Sequence, residues 1–429
     1  MQHEQHPRNN QLISTTALLI SFVGVVGWFL GATPALAVSA DILSESARPP
    51  EKILGGAINA RTGCSNLHLD AHNDSGNLFL AMLDTGGGNN LGVYFSSDHG
   101  RTWAESYSAN WGSSGSWIDI GGRVVGDYYY LTYAYSGYPG SARVRRFDAL
   151  TGQFDLGFGG GGAWLEVFNA GTANVVELAL ASNHGDADTR LYLVSILSDG
   201  SLKFFWTDQD GGDGTLGWTE IDTGITNAAD HLDVSFNPHQ SVNTTGYLFA
   251  SYRGTDDNIW IFRRMSWGND ATNLAPYFGD GVHVSAFGDH VVVVYTYSNS
   301  GASAVAYKIS YNSGDTWLLG LIDPGAEGDA YQPDVTLRRG GGIVVAFQRD
   351  SAGDDLVFLR SRSYSGPDWS ETTAATDVAM AIESEIELQA LPEGGLGLVT
   401  LHTNSIPWFD QTPLIFRSSF ELGDTVGWD

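Results

Sequence analysis

An eight-residue spelling occurs twice in the chain. It reads Ser96-Ser97-Asp98-His99-Gly100-Arg101-Thr102-Trp103 and, again, Ser310-Tyr311-Asn312-Ser313-Gly314-Asp315-Thr316-Trp317. A short β-forming run leads into each copy, Val93-Tyr94-Phe95 in the first and Tyr307-Lys308-Ile309 in the second. The Asp or Asn side chain takes backbone amides just beyond it and makes a tight turn. The glycine supplies a positive φ without steric cost. Thr and Trp start the return strand, and the Trp is large enough to pack between neighbouring sheets. The spelling therefore predicts a β-hairpin stapled by its own side chains. Ser96, Asp98, Gly100, Thr102 and Trp103, with Ser310, Asn312, Gly314, Thr316 and Trp317, are structural residues in this reading.

Weaker copies of the strand-then-glycine pattern extend the register. They are Arg143 to Phe147 before Gly152, Lys203 to Trp206 before Gly211, Ile259 to Met265 before Gly268, and Leu356 to Arg362 before Gly366. Together with Gly100 and Gly314 they recur about every 50 residues. Short β-rich runs alternate with turns, and helical periodicity is nearly absent, so the chain is all-β. A period of this size with several strands per unit predicts a β-propeller of four-stranded antiparallel blades. In the fourth unit the strands read as Leu232 to Phe236, Tyr247 to Tyr252, Ile259 to Met265 and roughly Asn273 to Phe278. Six units fill about 64–378, and a seventh, short of its outer strand, follows at Glu385 to Ala390, Gly395 to His402 and Ile406 to Asp410. The count favours seven blades, with six as the alternative, the ring being closed by both termini with Lys52 to Ala60 as the missing strand.

The first segment stands outside this pattern. Leu12 to Gly31 is almost wholly apolar, Arg8 precedes it and Ala35-Leu36-Ala37 follows, which reads as a secretory signal over 1–37; an uncleaved anchor is the alternative. Residues 38–50 read as a linker, 51–415 as the propeller and 416–429 as a tail. No later segment has the length and apolarity of a spanning helix. The net charge of −28 excludes nucleic-acid binding through a broad basic face. Cys64 is the one cysteine, so no intramolecular disulfide forms and packing must hold the fold.

Both octapeptides fit S-x-D/N-x-G-x-T-W, and in this the chain resembles the sialidase-like β-propellers, where the repeat is called the Asp-box. The resemblance implies boxes on the outer rim and a glycan-directed site at the opposite mouth of the central channel. Sialidases hold the substrate carboxylate with three arginines and use a tyrosine nucleophile, a glutamate partner and an aspartate acid/base. The chain departs from that pattern. The Arg-Ile-Pro motif is absent, Arg61 being followed by Thr62-Gly63, and no third arginine joins Arg253 and Arg349. The segment Phe420 to Trp428 resembles a short tail found at the ends of secreted bacterial proteins.

Propeller register sorts the candidates. Loops after second strands and before first strands surround one mouth. Asp84 and Tyr297 are the candidate catalytic pair there, and Arg61, Arg253, Arg349, His231, Tyr133 and Trp117 are candidate ligand-binding groups. Asp119, Glu177, His283, Gln332 and Glu385 fall at the same level. Aromatic faces with carboxylates and an arginine suit a sugar. Each group also has a plain alternative. The arginines fit loop ion pairs with Asp256, Asp257 or Asp350, Asp84 fits a turn cap, and alternating Tyr133, Tyr135, Tyr295 and Tyr297 place at least half of these rings in the core. No cofactor is required by any motif. Asp208, Asp210 and Asp213 are spaced like part of a calcium loop, but the EF-hand spacing is incomplete and a plain turn is the favoured reading, with calcium as the alternative. Three functions stay open: a glycoside hydrolase, a non-catalytic propeller binding an extracellular glycan, polysaccharide or protein, and a polysaccharide lyase.

Overall fold

The structure, a computed structural model, describes residues 64–84, 90–110, 116–162, 164–182, 190–208, 217–237, 247–265, 268–275, 281–299, 301–323, 328–338, 342–351, 354–364, 369–375, 385–391, 395–402 and 406–412. The signal, linker and tail segments lie outside these residues, as do Arg61, the closing strand expected at Lys52 to Ala60, Gly211 and Gly366. Every regular element described is a β-strand, and among the described residues no helix is long and apolar enough to cross a membrane.

Among the described residues the strands form seven antiparallel sheets, six of four strands and a last one of three, each built from consecutive strands. We call them blades 1 to 7. They run from Cys64 to Asn110, Trp117 to Asn169, Val175 to Asp222, Ala228 to Ala275, Val282 to Asp323, Ala330 to Ala375 and Ile386 to Thr412. The innermost strands are Cys64–Ala71, Trp117–Val125, Val175–Ser182, Ala228–Asn237, Val282–Phe287, Ala330–Arg338 and Ile386–Ala390. Each lies against the innermost strand of the next blade, and that of blade 7 lies against that of blade 1. This is a β-propeller. The strand periods follow the sequence closely in blade 4, whose third strand is Ile259–Met265. Its outer strand starts earlier than expected, at Gly268, so that glycine belongs to a strand and pairs with Met265.

Strands buried on both faces explain the near-continuous apolar runs. Leu78–Asp84 is buried at every position. Alternate side chains enter the layers on either side of the blade. Phe79 stacks on Tyr129 of blade 2 at 4.4 Å between ring centroids, while Leu78, Leu80 and Met82 join blade 7 side chains.

The two octapeptides fold alike. Ser96 Oγ accepts from Gly100 N at 2.8 Å, and Asp98 accepts from Thr102 N at 2.8 Å and from Thr102 Oγ1 at 2.7 Å. Ser310 Oγ accepts from Gly314 N at 2.8 Å, and Asn312 accepts from Thr316 N at 2.9 Å. Left-handed backbone extends over two residues in each, His99 with Gly100 and Ser313 with Gly314. At Gly100 a Cβ would come within 2.0 Å of the Phe409 ring of blade 7. Trp103 is buried, donates to Gly100 O at 3.1 Å and meets Phe409 edge-on at 5.4 Å. Trp317 is partly buried against the core of blades 4 and 5.

Trp103 therefore joins blade 1 to blade 7. Trp103→Ala is expected to cost about 3–5 kcal/mol of folding stability. Urea denaturation reads this as a lower midpoint at unchanged slope. A loss below about 1 kcal/mol would show that the indole carries little of the junction.

Candidate functional site

The innermost strands leave amides facing the neighbouring blade, and side-chain oxygens of that blade take them. Asp70 of blade 1 accepts from Val124 N at 2.6 Å, Asp119 of blade 2 from Leu178 N at 2.5 Å, and Glu177 of blade 3 from Leu232 N at 2.5 Å. Asp233 of blade 4 accepts from Val284 N at 2.7 Å, and Asp334 of blade 6 from Leu388 N at 2.6 Å. Between blades 5 and 6 a hydroxyl serves instead, Ser285 Oγ accepting from Leu337 N at 3.1 Å. Glu385 and Glu387 accept from Leu67 N at 3.0 Å and Leu69 N at 3.3 Å, joining the last blade to the first.

Local backbone aims these groups. The register shifts between Ser65 and His68, between Asp230 and Asp233, and between Tyr331 and Asp334. A left-handed residue sits in each shift: Asn66, His231 and Gln332, with φ of 49°, 55° and 50°. Such bulges re-aim the side chains that follow. Asn66 donates to Asp119 at 2.6 Å.

The result is a ring of carboxylates with few cations. Arg123 stands 3.6 Å from Asp70, and His283 lies 3.7 Å from Asp233 and 3.5 Å from Asp334. Burial pushes the Asp70, Asp233 and Glu385 carboxyls above their usual range, against the pull of the amide hydrogen bonds. Asp119 and Glu387 are pushed well above it, burial being reinforced by Glu177 in one case and by Asp334 in the other. Burial raises Glu177 to about 7 and Asp334 to about 6. His68 moves the other way, to about 4, because burial disfavours its charged form.

The candidates named from sequence are dispersed. Arg253 is half-buried and forms a two-pronged ion pair with Asp230, with Asp257 3.8 Å away. His231 is also beside Asp230, at 3.8 Å. Both stay near the mouth. Arg349 does not. It is buried, bonded to Asp323 on the outermost strand of blade 5, and its guanidinium lies 4.0 Å over the Phe358 ring. Its strand places it on the inter-blade side, which corrects the mouth assignment. Tyr133 and Trp117 are likewise core residues, meeting edge-to-face at 5.5 Å between blades 1 and 2. Asp84 is buried at the end of the second strand of blade 1. Tyr297 packs partly buried on the core of blades 4 and 5, beside Tyr295. Asp208 pairs with Arg190 at 2.9 Å, while Asp210 and Asp213 lie outside the described residues. No group of three metal-ligating side chains occurs among the described residues.

The fold is an all-β propeller of antiparallel blades. No family model matches the chain, and no curated protein does. Among solved structures, the BP39L lectin of Burkholderia pseudomallei aligns with a TM-score of 0.57 at 11% identity, over 82% of this chain and 98% of the lectin. The NanB sialidase of Streptococcus pneumoniae aligns with a TM-score of 0.46 at 10% identity, over 86% of this chain and 71% of the sialidase. AofleA of Arthrobotrys oligospora aligns with a TM-score of 0.47 at 12% identity, over 72% and 89%.

Two consequences are measurable. A carboxyl whose pKa is higher folded than unfolded stabilises the fold most below its unfolded pKa, and that stability drains away as pH rises to the folded pKa. For Glu177 and Asp334 the window runs from the ordinary carboxylate range up to about 7 and about 6. His68 opposes them, since its lowered pKa favours the fold as pH rises. The carboxylates outnumber it, so the melting temperature is expected to fall between pH 5 and 7.5, and Glu177→Gln to remove part of that fall. A melting temperature that rises over this range, with Glu177→Gln unchanged, would contradict the assignment. Arg349→Ala strips the partner from buried Asp323 and is expected to cost about 3–5 kcal/mol, read by chemical denaturation. An unchanged midpoint would return Arg349 to the list of ligand groups.

Proposed function

We propose that the protein is a secreted, carbohydrate-binding propeller that holds an extracellular glycan without cleaving it. The observation that carries the reading is the commitment of the arginines. Cleavage of a carboxylated sugar by the sialidase chemistry needs several arginines converging on the substrate. Arg349 is buried against Asp323 in the space between blades 5 and 6, and Arg253 is held by Asp230. Glycan recognition is supported by the fold, which the chain shares with a protein described as a lectin. Fold alone assigns no activity, so the proposal stands on the site residues together with it.

A hydrolytic reading has one observation in its favour. Glu177 titrates near neutral pH, beside Asp230 and Arg253 at the mouth. A carboxyl in that range can serve as a general acid.

One experiment separates the two. The chain lacking residues 1–37 is screened on immobilised neutral and acidic glycans, and each retained sugar is incubated with it and analysed for cleavage. Retention without new reducing ends or unsaturated products is expected. Turnover that disappears in Glu177→Gln would replace binding with hydrolysis, and retention of no glycan would end the carbohydrate reading.

A further inference from the structure

A second polar and aromatic cluster lies away from the channel ring, on blade 2. Arg143 is buried at 7% exposure and is enclosed by rings. Its guanidinium carbon lies 4.0 Å from the Trp164 ring centre, 4.6 Å from Tyr138 and 5.1 Å from Tyr135. Its Nη1 donates to Tyr135 Oη at 3.0 Å. No carboxylate among the described residues pairs with it, whereas Arg146, Arg190, Arg253, Arg263 and Arg349 each have one. Arg143 Nε is buried without a hydrogen-bond partner. The cation is thus held by π-faces, an arrangement worth more where water is excluded.

One of those rings faces solvent. Tyr138 is 54% exposed, in the loop that follows the second strand of blade 2 and so on the mouth side. Trp164 is half-buried. The loop is fixed from within. Tyr138 N donates to Tyr135 O at 3.0 Å, Ser141 N to Tyr138 O at 3.0 Å, and Ser136 N to Ser116 O at 2.9 Å. Gly137 is required by close approach, since a Cβ there would stand 2.7 Å from the Tyr135 ring. Pro139 O and Gly140 O accept from Val175 N and Ala170 N, which ties the loop to the chain entering blade 3. An exposed tyrosine held this firmly loses little freedom when something packs on it.

Polar groups border the platform. Glu166 is exposed, lies directly across the strand pair from Arg143, and accepts from Ser141 Oγ at 2.7 Å. A carboxylate of this kind accepts hydroxyl protons well and repels other carboxylates. The chain's net charge of −28 adds to that repulsion. The cation at this cluster, Arg143, is covered by rings.

Resting on the glycan-binding reading, we infer that the Tyr138–Trp164 platform of blade 2 is a subsite for an uncharged pyranose. The C–H face of the sugar packs on Tyr138 and Trp164, and Glu166 accepts its hydroxyls. Arg143 is a positioning residue that sets the spacing of the rings.

The test uses the chain lacking residues 1–37 with neutral β-glucan, mannan and galactan oligosaccharides and with oligogalacturonate, alginate and sialyllactose, by titration calorimetry. The variants are Tyr138→Ala, Trp164→Ala, Glu166→Gln and, as an exposed aromatic on another blade, Tyr311→Ala. The expected result is a neutral sugar bound at least about tenfold more weakly by Tyr138→Ala and Trp164→Ala, more weakly by Glu166→Gln, and equally by Tyr311→Ala. The melting temperature of Tyr138→Ala should stay that of the unaltered chain. A neutral sugar bound equally well by Tyr138→Ala overturns the subsite and leaves glycan binding standing. Preference for an acidic sugar, tightened by Glu166→Gln, overturns the uncharged class. Binding of no sugar overturns the parent reading and this subsite with it.

Discussion

The amide-to-carboxylate contact across neighbouring innermost strands is the interaction on which this structure depends. A blade can satisfy its own ladder, yet its innermost edge faces the channel with amides that no strand pairs. Buried amides left without partners are costly. Asp70, Asp119, Glu177, Asp233, Asp334 and Glu387 take these amides from the next blade, and Ser285 does so where blade 5 meets blade 6. Each contact therefore satisfies a strand edge and joins two blades at once. Its cost is a channel crowded with like-charged groups, which appears as carboxyls held above their ordinary pKa by burial and by one another.

That cost bears on function. A ring of acids at a channel mouth invites a catalytic reading, and Glu177 titrates where a general acid would. The same carboxylate, however, is bonded to Leu232 N, and its neighbours are bonded alike. Groups occupied in holding blades together are not free to take up substrate without loosening the ring. The arginines show the same economy: Arg253 and Arg349 are both engaged by internal acids. The polar groups of the centre serve closure. The exposed, firmly held ring of Tyr138 lies in a mouth-side loop of blade 2.

The sequence carried the scaffold in detail and the site only partly. Gly100, Gly152 and Gly314 all adopt the positive φ that the turn reading required, and most strands fall where the repeat placed them, the outer strand of blade 4 starting early at Gly268. Such signals are local, because a turn is determined by residues a few positions apart. The fate of Arg349 was not local. Its partner Asp323 belongs to another blade, and loop position alone pointed it at the mouth. Tyr133 and Trp117 were misplaced for a similar reason, since the side of a blade that a residue enters depends on where a bulge resets the alternation, here between Trp117 and Asp119. The channel acids left a trace, an Asp or Glu beside an apolar residue within the inner strand of each described blade but the fifth, and Asp119, Glu177 and Glu385 were legible at mouth level. Tyr138 was missed although Tyr135-Ser136-Gly137-Tyr138-Pro139 stands in a mouth loop. Its importance comes from Arg143, on the next strand, and from Trp164, just before the strand after that, which meet at the Arg143 guanidinium.

The division between a structural centre and a binding rim is tested most directly by a crystal structure of the protein with an oligosaccharide that it retains. The account predicts a sugar ring lying on Tyr138 and Trp164, with Glu177 still bonded to Leu232 N and its counterparts to their own neighbouring strands. A sugar seated in the channel mouth against Glu177 and Arg253, with those inter-blade bonds broken or redirected, would contradict it.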